Sequence, residues 1–350
     1  MSSSHEARDA TKLRRKVRTQ LASMAVLLAA PLWLGSAAVW AQATPPAPGA
    51  PAAPPANAVR LIVPFTPGTG IDLVARTVGP KLAERLGRPV VVDNRVGASG
   101  NIGTEAVVRA APNGSTLLVS VNTLVMNRSL YPKLPFDPVK DLTPVSLTSW
   151  GQLILVAHPQ SGFKTAGDLV AAAKAKPGRI NYASPGVGTP HHLSMELFKN
   201  TAGVFLTHIP YRGTGPALTD LLGGQVEAMF LPIHVALPHV RAGKLLALGI
   251  GSDKRHPLLP DVPTIAEARA GQVNVDMWFG IFAPPGTPAD VVTRLNRDLR
   301  DILASDDVKR AFQAQGMDPA SSSPEEFKAL VEKDAVRWAQ LIKSQGITAE

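Results

Sequence analysis

The chain has 350 residues, 45% hydrophobic and 18% charged, with 29 Gly, 32 Pro and no Cys. That length suits about two ordinary domains, and the apolar fraction excludes wholesale disorder. The lack of cysteine excludes a disulfide framework, thiolate metal sites, a thiol nucleophile and a lipidated cysteine. Lys and Arg (36) exceed Asp and Glu (27), giving a formal charge of +9.

Residues 1–43 read as a secretory signal peptide. Lys12, Arg14, Arg15, Lys16 and Arg18 form a basic segment, and an apolar stretch runs from Leu21 to Val39. Small residues then flank Gln42 and Trp40, placing cleavage after Ala43 or Ala41. An uncleaved anchor is the alternative, because an apolar stretch of roughly 19 residues can just span a bilayer. Pro31 and the small-residue exit favour cleavage. Residues 1–43 carry six basic and two acidic residues, so the remainder has a charge of +5. Those charges are scattered, without a basic run or interleaved aromatics, so nucleic-acid binding is not expected. Residues 44–57 are a Pro/Ala-rich linker that should be extended and solvated.

From Ala58 onward short β-branched runs alternate with amphipathic segments. Strands are predicted over Val59–Val63, Val90–Asp93, Thr116–Ser120, Leu153–Ala157, Ile180–Ala183, Phe205–Ile209, Val226–Phe230, Leu245–Gly249 and Phe279–Ala283. Helices are predicted over Ile71–Leu86, Ile102–Ala110, Ala166–Ala175, Pro190–Ala202, Pro216–Leu222, Val235–Ala242, Pro288–Ala304 and Pro324–Ser344. In the first helix Leu73, Val74, Val78, Leu82 and Leu86 share a face, and Gly87 follows as a cap. The strand runs are nearly continuous in apolar character, as expected of strands covered on both faces. The β–α–β order predicts an α/β protein with mostly parallel sheets flanked by helices. So many elements fit two lobes better than one. Lobe 1 is expected to be discontinuous, residues 58–155 plus 276–350, and lobe 2 to span residues 156–275.

Two strand-to-helix loops carry the strongest site signal. One runs from Val63 through Phe65, Thr66, Gly68, Thr69 and Gly70 to Asp72; the other runs from Tyr182 through Ser184, Gly186, Gly188 and Thr189 to His192. Each presents unpaired amides at the positive end of a helix, where glycine lets a ligand come close. Ligands of open α/β sheets sit at the carboxyl ends of strands. A cleft between two lobes would therefore grip one small anion from both sides. Neither loop carries a P-loop or a complete dinucleotide fingerprint. Asp72 either touches the ligand or holds its own loop, and is spaced for an ion pair with Arg76. A third loop offers Tyr211 as an aromatic wall, with Arg212 beside it. Ser120, Asn122 and Thr123 end another strand and add polar contacts. His192 and Glu196 lie one helical turn apart, but no third ligand follows and no metal site is expected. Ser184 lacks the nucleophile elbow of a serine hydrolase.

The chain resembles the Bug-type (TctC-like) substrate-binding proteins of tripartite tricarboxylate transporters. The matching stretches are VPFTPGTGIDLVAR (63–76), VVVDNRVGASGNIGTEAV (90–107), NYASPGVGTPHHLSMELFK (181–199), HIPYRGTGPALTDLLGGQVEAMF (208–230), LPDVPTIAE (259–267) and WFGIFAPPGTP (278–288). The resemblance implies a two-lobed periplasmic binding protein of type II-like architecture, with the ligand cleft between lobes. It implies capture of a small carboxylate and delivery to membrane transporter subunits. A monomer without catalytic residues, metal or cofactor is the expectation. The ligand contacts would fall on Phe65, Thr66, Gly68, Thr69, Gly70 and Asp72 in lobe 1, with Asn122 and Thr123. Lobe 2 would supply Ser184, Gly186, Gly188, Thr189 and Tyr211. The chain has Thr69 where relatives usually have a second glycine. Leu231-Pro232 follows Phe230 where an acid is common, which leans the ligand toward plain or aromatic carboxylates. Two alternatives remain: a ligand-sensing module for a membrane receptor, and an exported serine hydrolase using Ser184 or Ser120.

Overall fold

A computed structural model describes residues 55–348 except 132 and 345. The signal-peptide assignment and nearly all of the Pro/Ala linker lie outside the described residues. Among the described residues no helix is long and apolar enough to cross a membrane.

The chain builds two sheets. The six-stranded sheet has the order β11-β4-β10-β3-β1-β2 and the five-stranded sheet the order β7-β6-β8-β5-β9. The first contains β1 (Val59–Val63), β2 (Val90–Asn94), β3 (Thr116–Val121), β4 (Thr143–Gly151), β10 (Met277–Ala283) and β11 (Met317–Pro319). The second contains β5 (Leu153–Ala157), β6 (Asn181–Ser184), β7 (Thr207–Pro210), β8 (Ala228–Pro232) and β9 (Leu246–Ile250). The helices are α1 (Gly70–Leu86), α2 (Asn101–Val108), α3 (Thr123–Leu130), α4 (Ala166–Ala175), α5 (Pro190–Ala202), α6 (Thr214–Leu222), α7 (Ile233–Arg241), α8 (Ala289–Ala304), α9 (Asp306–Ala314) and α10 (Pro324–Ser344).

Local chemistry sets several boundaries. Gly87, at φ +66°, ends α1 by donating its amide to Ala83. A capping box starts α4: the Thr165 hydroxyl accepts the Asp168 amide, and the Asp168 carboxylate accepts the Thr165 amide.

The two-lobed α/β architecture agrees with the sequence reading, but both sheets are mixed, not mostly parallel. β1 pairs parallel with β2 and β3, and β6 pairs parallel with β7 and β8. β10 pairs antiparallel with β3 and β4, β11 with β4, and β5 with β8 and β9. The cause is connectivity. Parallel neighbours need a helical crossover, which the β1–α1–β2 and β6–α5–β7 units supply. β5 instead follows β4 after Gln152 alone, and β10 returns after residues 251–276.

The core of the first sheet is closed by the chain's C-terminal part. Trp278, Phe282 and Phe327 pack ring to ring, and the Trp278 indole donates to Asp334 Oδ2 at 2.7 Å. β1, β3, β6, β7 and β8 all lead into helices, α1, α3, α5, α6 and α7 in turn.

Candidate functional site

The starts of those five helices meet. Thr69, Gly70 and Ile71 of α1, Thr123 of α3, Thr189, Pro190 and His191 of α5, Thr214 of α6, and His234 and Val235 of α7 line one cavity of about 40 Å3. Phe65, Val121, Pro185, Pro232, Met277 and Phe279 complete its wall. The first intrahelical bonds of α1 and α5 run from Leu73 to Thr69 and from Leu193 to Thr189. The first-turn amides ahead of them have no carbonyl to satisfy within their helix. Five positive helix ends around a low-polarity hollow favour an anion. No residue of the lining is acidic.

A wider hollow of about 420 Å3 adjoins it through Phe65 and Pro185, with Gly186, Tyr211 and Arg212 on one side and Ser99, Gly100 and Tyr131 on the other. The two lobes touch at its edge. Ser99 Oγ donates to the Val187 carbonyl at 2.9 Å and accepts from the Tyr131 hydroxyl at 3.0 Å. A Cβ on Gly213 would stand 3.1 Å from Thr66, and one on Gly188, at φ +77°, only 2.2 Å from Leu130.

Of the residues singled out from sequence, Phe65, Thr69, Gly70, Thr123 and Thr189 line the inner cavity, and Gly186 and Tyr211 line the wider hollow. Thr66, Gly68, Asp72, Asn122, Ser184 and Gly188 line neither; most of them shape the loops or the seam between lobes. Asp72 is the clamp of the first loop. Its Oδ2 accepts from the Gly68 amide and from Arg76 Nε, both at 2.9 Å, and its Oδ1 accepts from Asn94 at 3.0 Å. Burial opposes its ionisation, but those three donors outweigh burial and hold the carboxyl below the ordinary carboxylate range. Asn122 donates to the Asp276 carbonyl at 3.2 Å and so ties α3 to the segment returning to β10. The Thr69 hydroxyl donates to the Thr66 carbonyl at 3.0 Å, so the residue that replaces glycine stiffens its own loop.

The second loop rests on a stack of rings. His208 lies between Tyr182 and His192, with centroids 4.8 and 4.1 Å away. Ser184 Oγ is 2.6 Å from His208 Nε2 and also accepts the Gly186 amide. His192 Nδ1 accepts the Gly188 amide at 3.1 Å. Beneath, the Tyr182 hydroxyl and Lys199 both donate to Glu196. The His192–Glu196 spacing read from sequence therefore serves this scaffold. Burial, reinforced by Lys199, pushes His192 down to about 4; burial, reinforced by His192, pushes His208 down to about 3. Both rings are neutral at pH 7, and His192 Nδ1 serves as an acceptor. Ser184 is fully buried and Ser120 is 2% exposed, and neither lines a hollow where a substrate would reach it.

His192→Phe preserves the stack but strips the Gly188 amide of its acceptor. The expected cost is about 1–3 kcal/mol, the penalty for a buried donor left unpaired. Urea denaturation reads it, and an unchanged midpoint would refute the clamp.

Sequence reasoning weighs His191 only beside His192 and Glu196 as a metal ligand, and does not single out His234, Val235, Met277 or Phe279. Phe279 and Met277 belong to a strand far along the chain. His191 belongs to the second loop and His234 falls just before the helix predicted from Val235, and only the three-dimensional wall shows that both line one cavity.

Residues 74–347 match the family model described as "Tripartite tricarboxylate transporter family receptor" (TctC). The protein BugT of Bordetella pertussis is 39% identical over 294 residues, 83% of this chain and 90% of the relative. Among solved structures, Rpa4515 of R. palustris with adipate is 34% identical with a TM-score of 0.81, covering 84% of this chain and 99% of the other. The periplasmic binding protein BugD is 32% identical with a TM-score of 0.80, covering 85% and 100%. MatC from Rhodopseudomonas palustris with bound malate is 34% identical with a TM-score of 0.76, covering 82% and 99%. The converging helix starts and these matches together establish that the chain belongs to the Bug-type, TctC family of tripartite tricarboxylate transporter receptors.

Proposed function

We propose that the protein is a periplasmic solute-binding receptor that captures a small carboxylate between its two lobes and hands it to the membrane subunits of a tripartite transporter. One observation carries the reading: the starts of α1 and α5, one from each lobe, open into the same cavity. A ligand bonded to both helix ends stabilises the closed arrangement over the open one, and that difference is what a transporter can sense. The structures solved with adipate and malate belong to relatives 34% identical to this chain and support a carboxylate here.

In this reading the direct contacts are Phe65, Thr69, Gly70, Thr123 and Thr189, with Gly186 and Tyr211 at the mouth. Gly68, Asp72, Ser184 and Gly188 hold the two loops in shape. In this reading the lobes divide at Gln152 and within residues 251–276. The protein acts as a monomer after export by its N-terminal segment. A catalytic role for Ser184 is disfavoured by its burial beneath the second loop.

A thermal-shift screen of carboxylates tests the reading. A ligand at about 100 times its Kd contributes about 2.7 kcal/mol of stability. At least one small carboxylate is expected to raise Tm by several degrees, with the corresponding amide giving no shift. A flat response to mono-, di- and tricarboxylates, aliphatic and aromatic, would overturn it.

A further inference from the structure

We propose that His191 and His234 read the part of the ligand that the helix ends do not anchor. The ligand is then a carboxylate bearing a second oxygen function (hydroxyl, carbonyl or carboxyl) and no ammonium group. This rests on the carboxylate reading above and narrows it.

Both histidines line the inner cavity, His191 from the first turn of α5 and His234 from the first turn of α7. His191 is 9% exposed, and neither of its ring nitrogens has a protein partner; the shielded Nε2 of His234 also lacks one. From the other lobe, the Thr123 hydroxyl is likewise buried and unpartnered at the same cavity. Four buried polar atoms without protein partners around one small hollow are costly unless something in the hollow bonds to them. Phe65, Val121, Val235 and Phe279 offer only apolar contact there.

The imidazoles are neutral. Burial, reinforced by His234, pushes His191 down to about 3, and burial pushes His234 down to about 4. Each neutral ring supplies one donor and one acceptor, which suits a hydroxyl, carbonyl or carboxyl group. A hydrocarbon tail would leave these nitrogens without a partner. An ammonium group would need a countercharge, and no acidic side chain lines the cavity.

The test uses matched acids that differ by one oxygen function: adipate with hexanoate, succinate with butyrate, and 4-hydroxybenzoate with benzoate. 6-Aminohexanoate is the cationic control. Titration calorimetry on the wild-type protein should show, in at least one pair, the oxygen-bearing acid binding at least about tenfold tighter. That ratio should fall toward one in His191→Leu or His234→Leu, and the corresponding Gln variants should recover much of it. A general loss of packing would weaken both members of a pair and leave their ratio unchanged. A wild-type ratio near one in every pair would overturn the inference while leaving carboxylate capture intact. So would a ratio that persists in both Leu variants, or 6-aminohexanoate binding as tightly as adipate. Binding of no acid at all would overturn carboxylate capture itself.

Discussion

Gly70→Val is expected to abolish carboxylate binding, by at least about a hundredfold, while leaving a folded protein. Gly70 is the first residue of α1 and lines the cavity. A Cβ there would stand 2.8 Å from two ring atoms of Phe279 and 2.9 Å from Cε1 of His234. Phe279 lies on the first sheet and His234 on α7, which follows the second sheet. An isopropyl group projects into the cavity and pushes α7 away from α1. The amide of residue 70 survives, so what is lost is the approach of ligand and opposite lobe. The position is a helix start without positive φ, so valine strains the backbone little; repacking against Phe279 costs about 1–3 kcal/mol. Titration calorimetry and urea denaturation separate the two effects. Carboxylate affinity within threefold of wild type would mean that the ligand does not sit against the start of α1.

The second large effect is acid sensitivity. Burial holds His191 and His208 at about 3 and His192 and His234 at about 4 in the folded protein. In the unfolded chain each returns to the ordinary value of about 6.5. Unfolding therefore takes up protons wherever the pH lies between those values. The stability tied to neutral histidine is complete above about 6.5 and is lost as pH falls toward the folded values. From pH 7 to pH 5 each such histidine removes on the order of 2 kcal/mol. Four of them approach the whole stability of a typical domain, about 5–15 kcal/mol. Asp72, held below the carboxylate range by Arg76, Gly68 and Asn94 in spite of its burial, adds a loss at still lower pH, as those contacts give way. The urea midpoint should fall steeply between pH 6.5 and pH 5, and His234→Phe should flatten the fall. A midpoint constant over that interval would contradict the burial of these imidazoles in the native state.

The two-lobed α/β class and the two glycine-bearing turns were legible in the sequence because they rest on local rules. Val59–Val63 and Leu153–Ala157 are continuous apolar runs and form strands over the same residues. The glycine-bearing turns before α1 and α5 announce helix starts, and helix starts present amides whatever surrounds them. β4, α3, α9 and β11 were not legible. β4 carries Ser146, Thr148 and Ser149, all fully buried, so its polar letters conceal a central strand. Two of the hydroxyls find distant partners, the Phe279 carbonyl for Thr148 and the Ser322 carbonyl for Ser146.

Sheet direction was the other gap. β5 and β10 run antiparallel to their neighbours because the chain enters them by crossing between lobes, and no local pattern records such a crossing.

The sequence by itself determined the class of fold and the two glycine-bearing loops. Only the tertiary structure decided which residues line the cavity they open into. It turned Asp72, Ser184 and Gly188 inward to brace their own loops, and it brought Phe279, His191 and His234 together from three separate segments. The physical reason is that amide donors are fixed by helix starts, which sequence spacing marks, whereas a cavity wall is a coincidence of side chains whose separation along the chain carries no periodicity.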